Sequence, residues 1–120
     1  MTLIGTGSIM ADILAAADAL ERQNVSVRVI NMHTIKPLDE EIIQKAVEET
    51  QAIVTVEEHS IYGGLGGAVA EVLAEYGKAI HFHRIGLTDF VEGYGDLASV
   101  KKMNGIDGEA IERAVLKMLE

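Results

Sequence analysis

The 120 residues include no cysteine, no tryptophan and only one proline. Without a thiol there is no disulfide to staple the fold and no thiolate to hold zinc or an iron–sulfur cluster. Basic side chains are also scarce: 10 Lys and Arg stand against 19 Asp and Glu, a formal charge of −9. The densest basic cluster is the pair Lys101, Lys102, and phosphate neutralisation requires the opposite overall sign, so nucleic acid is excluded as a partner. Long hydrophobic runs are missing as well. Apolar stretches last a few residues before Asp, Glu or Gly interrupts them, far short of the ~20 that span a bilayer, so no membrane insertion is expected. No basic n-region or apolar h-region precedes the first strand-like segment, and a cytoplasmic location is the expectation.

What is present suits one domain over residues 1–120. Apolar residues make up 48% of the chain, and a domain of this size buries about two thirds of the surface its unfolded chain exposes. Thr2 to Thr6 is a short β-prone run leading through Gly7 and Ser8, the expected N-cap, into a helix with apolar residues at Ile9, Ile13, Ala16, Ala17 and Leu20. Val25 to Ile30 reads as a second strand. After Pro37, Asp39 is placed to cap a helix running to about Thr50, with Glu40 and Glu41 in its first turn and Leu38 and Ile43 as a hydrophobic staple. Ala52 to Val56 is a nearly continuous apolar run, the pattern of a strand covered on both faces, and is expected to break at Glu57, Glu58 and His59. Gly63 to Gly67 opens a third helix carrying Leu65, Val69, Val72 and Leu73, with Gly77 after its C-cap. Ile80 to Ile85 is a fourth strand, 86–95 a loop, and 96–103 a short helix. Asp107 caps a last helix with Ile111, Val115, Met118 and Leu119 on its inner face. Strands alternating with helices imply an α/β domain of three layers, α/β/α, around a mainly parallel sheet of about four strands.

Several constellations bear on chemistry. Gly5-Thr-Gly7 resembles the start of a dinucleotide fingerprint, but the third glycine falls at Met10 and the second strand ends in Asn31 rather than in an acidic residue for a ribose. The richer segment is Glu57 to Gly67, beyond the carboxyl end of a central strand, where open α/β sheets place ligands. There Gly63 and Gly64 offer backbone N–H groups to an anion at a helix N-terminus. Against this, no P-loop lysine follows, and Glu57 and Glu58 repel phosphate; glycines that let a loop turn and a helix dock account for the same residues. His33 and His59 end two strands, with Glu57 or Glu58 as a third metal ligand, yet no H-x-x-x-H spacing appears. His81 and His83 alternate with Phe82 as solvent-facing residues of an edge strand. None of Ser8, Ser26, Ser60 and Ser99 stands in a G-x-S-x-G elbow.

Taken together, Thr2-Leu-Ile-Gly-Thr-Gly-Ser8, the run from Arg28 through Ile35-Lys-Pro-Leu-Asp39, Val54-Thr-Val-Glu-Glu-His59 with Gly63-Gly-Leu-Gly66, and Arg84-Ile-Gly86 resemble, in order and spacing, the C-terminal domain of transketolases over essentially the whole chain. Related domains occur in deoxyxylulose-phosphate synthases and in the beta subunits of 2-oxoacid dehydrogenases. The resemblance implies a sheet in the order second, first, third, fourth strand. It also implies an antiparallel strand beside the second strand, supplied by residues before Thr2. In such enzymes, ketol transferases of the pentose phosphate type, thiamine diphosphate and magnesium are held by two other domains. The metal motif and the activating glutamate are not identifiable here: Gly95-Asp96 is followed by Leu97. The resemblance therefore implies a non-catalytic part that binds no cofactor itself, carries no catalytic residue and contacts other transketolase domains, a partner subunit or a second copy in a homo-oligomer. The candidate ligand or interface edge is His33, Glu57, Glu58, His59, Gly63 and Gly64. The competing reading is a free-standing α/β protein that binds an anionic metabolite at the same edge.

Overall fold

The structure, a computed structural model, describes residues 1–87 and 96–120. Four parallel strands stand in the order β2-β1-β3-β4, as the resemblance implies: β1 is Thr2–Gly5, β2 Arg28–Asn31, β3 Ala52–Ser60 and β4 His81–Leu87. The helices are α1 (Met10–Glu21), α2 (Glu40–Glu49), α3 (Leu65–Tyr76), α4 (Leu97–Met103) and α5 (Gly108–Met118). No helix among the described residues is long and apolar enough to cross a membrane.

Alternation along the strands divides the core in two. Leu3, Val54, Val56 and Ile85 face α1 and α5, packing on Ile13, Ala16, Leu20, Ile111 and Val115. Ile4, Ile30 and Ile53 face the opposite way, against Ile43 and Val47 of α2 and Leu65 and Val69 of α3. The central strands β1 and β3 read as continuous apolar runs because both of their faces are covered.

The cap of α2 forms as expected, with the Ile42 N–H donating to Asp39 Oδ1 at 3.2 Å, and Leu38 packs with Ile43 in the same cluster. Asp107 likewise accepts from Ala110 N–H at 2.9 Å. Elsewhere the structure corrects the expectations. Ser8 caps nothing: Gly7–Ile9 forms a 3₁₀ turn ahead of α1, and the Ser8 hydroxyl turns to the sheet instead. The second strand begins only at Arg28, because Val25 N–H closes the end of α1 on Leu20 O at 3.0 Å. β3 does not break at Glu57 but runs on to Ser60. β4 takes in Gly86 and Leu87, which shortens the expected loop; the rest of it, with Thr88, Asp89, Gly93 and Gly95, lies outside the described residues. Leu119 sits past the end of α5 and is exposed rather than on its inner face.

Candidate functional site at the carboxyl end of the sheet

Between Val56 and Ser60 the pairing of β3 with β4 loses its regular register: Val56 stands opposite Ile85, and Ser60 opposite Leu87. A β-bulge of this kind re-aims side chains at a strand end. Gly86 makes it possible. A Cβ there would lie 2.9 Å from the His59 carbonyl, 2.8 Å from Ile61 and 3.1 Å from Glu57 Cγ, so only hydrogen fits.

Glu57 shares the parity of Ile53 and Thr55 and points toward α3, where it is buried. Its Oε1 accepts the Leu65 N–H at 3.0 Å and its Oε2 the Gly66 N–H at 2.8 Å. The first amides of a helix have no intrahelical partner and carry the positive end of its dipole, so a carboxylate suits them. Gly64 lets the carboxylate in, since a Cβ on it would fall 2.0 Å from Glu57 Oε1. The backbone of Gly64 has φ −103°, and that of Gly63 before it has a positive φ of +74°. The amides that meet an anion at this glycine-rich turn are those of Leu65 and Gly66, not the expected ones of Gly63 and Gly64, and the anion is the chain's own Glu57 carboxylate.

Glu58 has the parity of Val54 and Val56 and points to the other face. There Ser8 Oγ donates to its Oε2 at 2.8 Å, and the Lys101 ammonium lies 3.0 Å from its Oε1. Lys101, on α4, also donates to Asp12 Oδ2 of α1 at 2.7 Å. Burial alone pushes Glu58 up, but the Lys101 and Ser8 hydrogen bonds and the charges of Lys101 and His59 outweigh it and hold the carboxyl below its ordinary range. The Asp12 hydrogen bond raises the Lys101 ammonium above its usual value, with Glu58 adding to it against the effect of burial. This network lies at the carboxyl ends of β1 and β3, beside the point where the strand order reverses and where open sheets ordinarily take a ligand.

The six residues of the expected edge do not form one site. Glu57, Gly63 and Gly64 come together at α3, whereas Glu58 lies across the sheet. His33 and His59 are exposed; His33 follows β2 and His59 lies near the end of β3, two strands that β1 separates. Among the described residues no three His, Cys, Asp or Glu side chains form a metal-holding group. His81 and His83 are exposed on the edge strand β4, as expected. Sequence reasoning missed Lys101, Asp12 and Arg84. The Arg84 guanidinium donates to Ile61 O at 3.0 Å and stands 6.0 Å from the Tyr62 ring centroid, holding the turn that leads to Gly63. Thr55 is also buried beside Gly66, and its hydroxyl has no hydrogen-bond partner among the described residues.

Outside the Glu57 seat, a shallow groove remains between the segment before α2 and the glycine face of α3. It is lined by Ile35, Leu38, Gly63, Gly64, Gly67 and Glu71, with a volume of about 530 Å³.

Comparison with known proteins agrees with this geometry. The family model described as the transketolase C-terminal domain matches residues 1–111. A Methanocaldococcus jannaschii protein named after the transketolase C-terminal section is 41% identical over 120 residues, covering all of this chain and 37% of its own length. The 1-deoxy-D-xylulose-5-phosphate synthase of Thermomicrobium roseum is 36% identical over 119 residues, covering 99% of this chain and 19% of the synthase. Among solved structures, a split-gene transketolase described as an inactive beta4 tetramer superimposes with a TM-score of 0.90 at 37% identity, covering 98% of this chain and 38% of that one. The chain therefore spans well under half the length of the relatives it matches.

Proposed function

The chain belongs to the transketolase C-terminal domain family, and from that premise we propose that it is the non-catalytic part of a ketol-transferring enzyme, serving contacts with the domains or subunit that carry the chemistry. In that enzyme thiamine diphosphate would supply the carbanion-stabilising centre. The residues present here do not fit its diphosphate and magnesium. One observation carries the reading: the helix amides best suited to an anion are held by Glu57, at 3.0 and 2.8 Å, inside the fold. An anionic metabolite would have to displace a buried carboxylate to reach them, which weighs against the free-standing binder. The contact role is supported by the surfaces that remain. In the described sheet β2 has β1 on one side and no strand on the other, an edge open to strand addition, and the groove beside Gly64 and Ile35 offers a second surface. A homo-oligomer and a cytoplasmic location go with this reading.

Calorimetric titration with thiamine diphosphate and magnesium, and with a sugar phosphate, is expected to give no heat of specific binding. A micromolar affinity for either overturns the proposal. Light scattering across a concentration series is expected to show self-association, and a strictly monomeric chain that also fails to bind a companion subunit removes the contact role.

A further inference from the structure

On the face of the sheet that packs on α1 and α5, the strands carry apolar side chains: Leu3, Val54, Val56 and Ile85 are all buried there. The start of β4 departs from that pattern. His81 and His83 share the parity of Ile85, so alternation puts all three on this face. Ile85 is 7% exposed, whereas both histidines are exposed, so the packed helices cover only the later part of β4. Phe82, between them, belongs to the cluster under α2 and α3. Across the ladder His81 stands opposite Ala52 and His83 opposite Val54, whose side chains have no polar group to engage an imidazole. Neither imidazole makes a hydrogen bond or ion pair among the described residues.

We propose that His81 and His83 form a two-imidazole chelate for a divalent transition cation of the Zn²⁺, Ni²⁺ and Cu²⁺ class. Residues two apart in a strand lie about 6.6 Å apart along it, with their side chains standing side by side on one face. A tetrahedral ion with Zn–N bonds of about 2.0–2.1 Å needs its two nitrogens about 3.4 Å apart, a gap that two exposed imidazoles leaning towards each other can close. Imidazole suits these ions, whereas Mg²⁺ and Ca²⁺ take oxygen ligands, so the pair discriminates against the latter. Water completes the coordination. Once one imidazole has taken the ion, the second meets it at a high effective concentration, so the pair binds far more tightly than a lone histidine. His33 and His59 are the lone histidines for comparison: each is exposed, and neither has another histidine two residues away.

Calorimetric titration of the whole chain with Zn²⁺ or Ni²⁺ at about pH 7.5 tests this. One ion per chain is expected to bind in the micromolar range, with no heat from Mg²⁺. His81→Ala and His83→Ala are each expected to weaken the binding about tenfold or more, and His33→Ala to leave it within about twofold. Lowering the pH to about 5.5 is expected to weaken it about tenfold or more, because protons take the ring nitrogens. A second measurement needs no substitution: in the unaltered chain, Ni²⁺ below one equivalent is expected to broaden the amide signals of His81, Phe82 and His83 before those of His33 and His59. Binding that His33→Ala weakens as much as His81→Ala overturns the proposal. So does broadening that begins elsewhere, or the absence of any binding below the millimolar range.

Discussion

Glu57 and Glu58 are neighbours in the chain and alike in chemistry, and a β-sheet separates their carboxylates. Glu57 faces backbone: two amides at the start of α3, fixed in place by the helix that they begin. Glu58 faces side chains, a serine hydroxyl and a lysine ammonium, each with rotamers of its own. The first carboxylate is fully enclosed, while the second keeps 27% of its side chain exposed. Enclosure with backbone partners makes a charge structural and expensive to lose, and partial exposure with side-chain partners makes it less costly to lose. The difference predicts unequal responses at the two positions.

The largest effect is expected at the enclosed position. Glu57→Ala leaves the Leu65 and Gly66 amides without partners and opens a void under α3, and is expected to cost about 3 kcal/mol in denaturant unfolding. A loss under 1 kcal/mol would mean that water replaces the carboxylate and that the turn can admit a ligand. Next comes Gly64→Ala, which pushes a methyl against Glu57 Oε1 and is expected to cost about 2 kcal/mol. In the Glu57→Ala background the same substitution should cost far less, and additive costs in a double-mutant cycle would show that Gly64 serves something other than the carboxylate.

The exposed side of the comparison is sharpened by pH. The folded Glu58 lies below its ordinary 4.5, so its contribution is present above that value and lost as pH falls through the lowered folded one. Lys101 is raised above 10.5, so its contribution is complete below that value and lost as pH rises through the raised one. The stability difference between the unaltered chain and Glu58→Gln is expected to shrink below pH 4.5. A difference that does not shrink on acidification would mean that Lys101 and Ser8 do not favour the charged carboxyl. The smallest effect is a gain. Thr55→Val removes a buried hydroxyl with no partner among the described residues and is expected to stabilise the domain by about 1 kcal/mol. A loss instead would reveal a bond that this hydroxyl makes.

Much of the fold was legible because its signals are local. Asp39 and Asp107 precede periodic apolar residues, and a cap acts within one turn of helix. The run from Ala52 to Val56 could be recognised as a doubly covered strand for the same reason. Ser8 misled, because a serine before a helix is a cap only if the chain enters at the right angle, and a 3₁₀ turn changes that angle. The end of β3 was misplaced because two acidic residues look like the start of a loop. The continuing alternation from Ile53 through Thr55 to Glu57 was the available sign that the strand goes on and that the two glutamates part company. No local pattern marks Lys101, whose partners lie 89 residues away at Asp12 and on β3.

By itself the sequence determined the alternation of strands and helices, the two covered faces of the central strands and the positions of two helix caps, since propensity, periodicity and capping act between residues a few positions apart. The four-strand order entered through the motifs that resemble the transketolase domain. Only the tertiary structure decided that the glycine-rich turn is already filled by Glu57 and that Glu58 belongs to a bridge among α1, β3 and α4. Those outcomes depend on which segments meet across the sheet and on a bulge that only Gly86 admits, and no interaction between near neighbours encodes such a meeting.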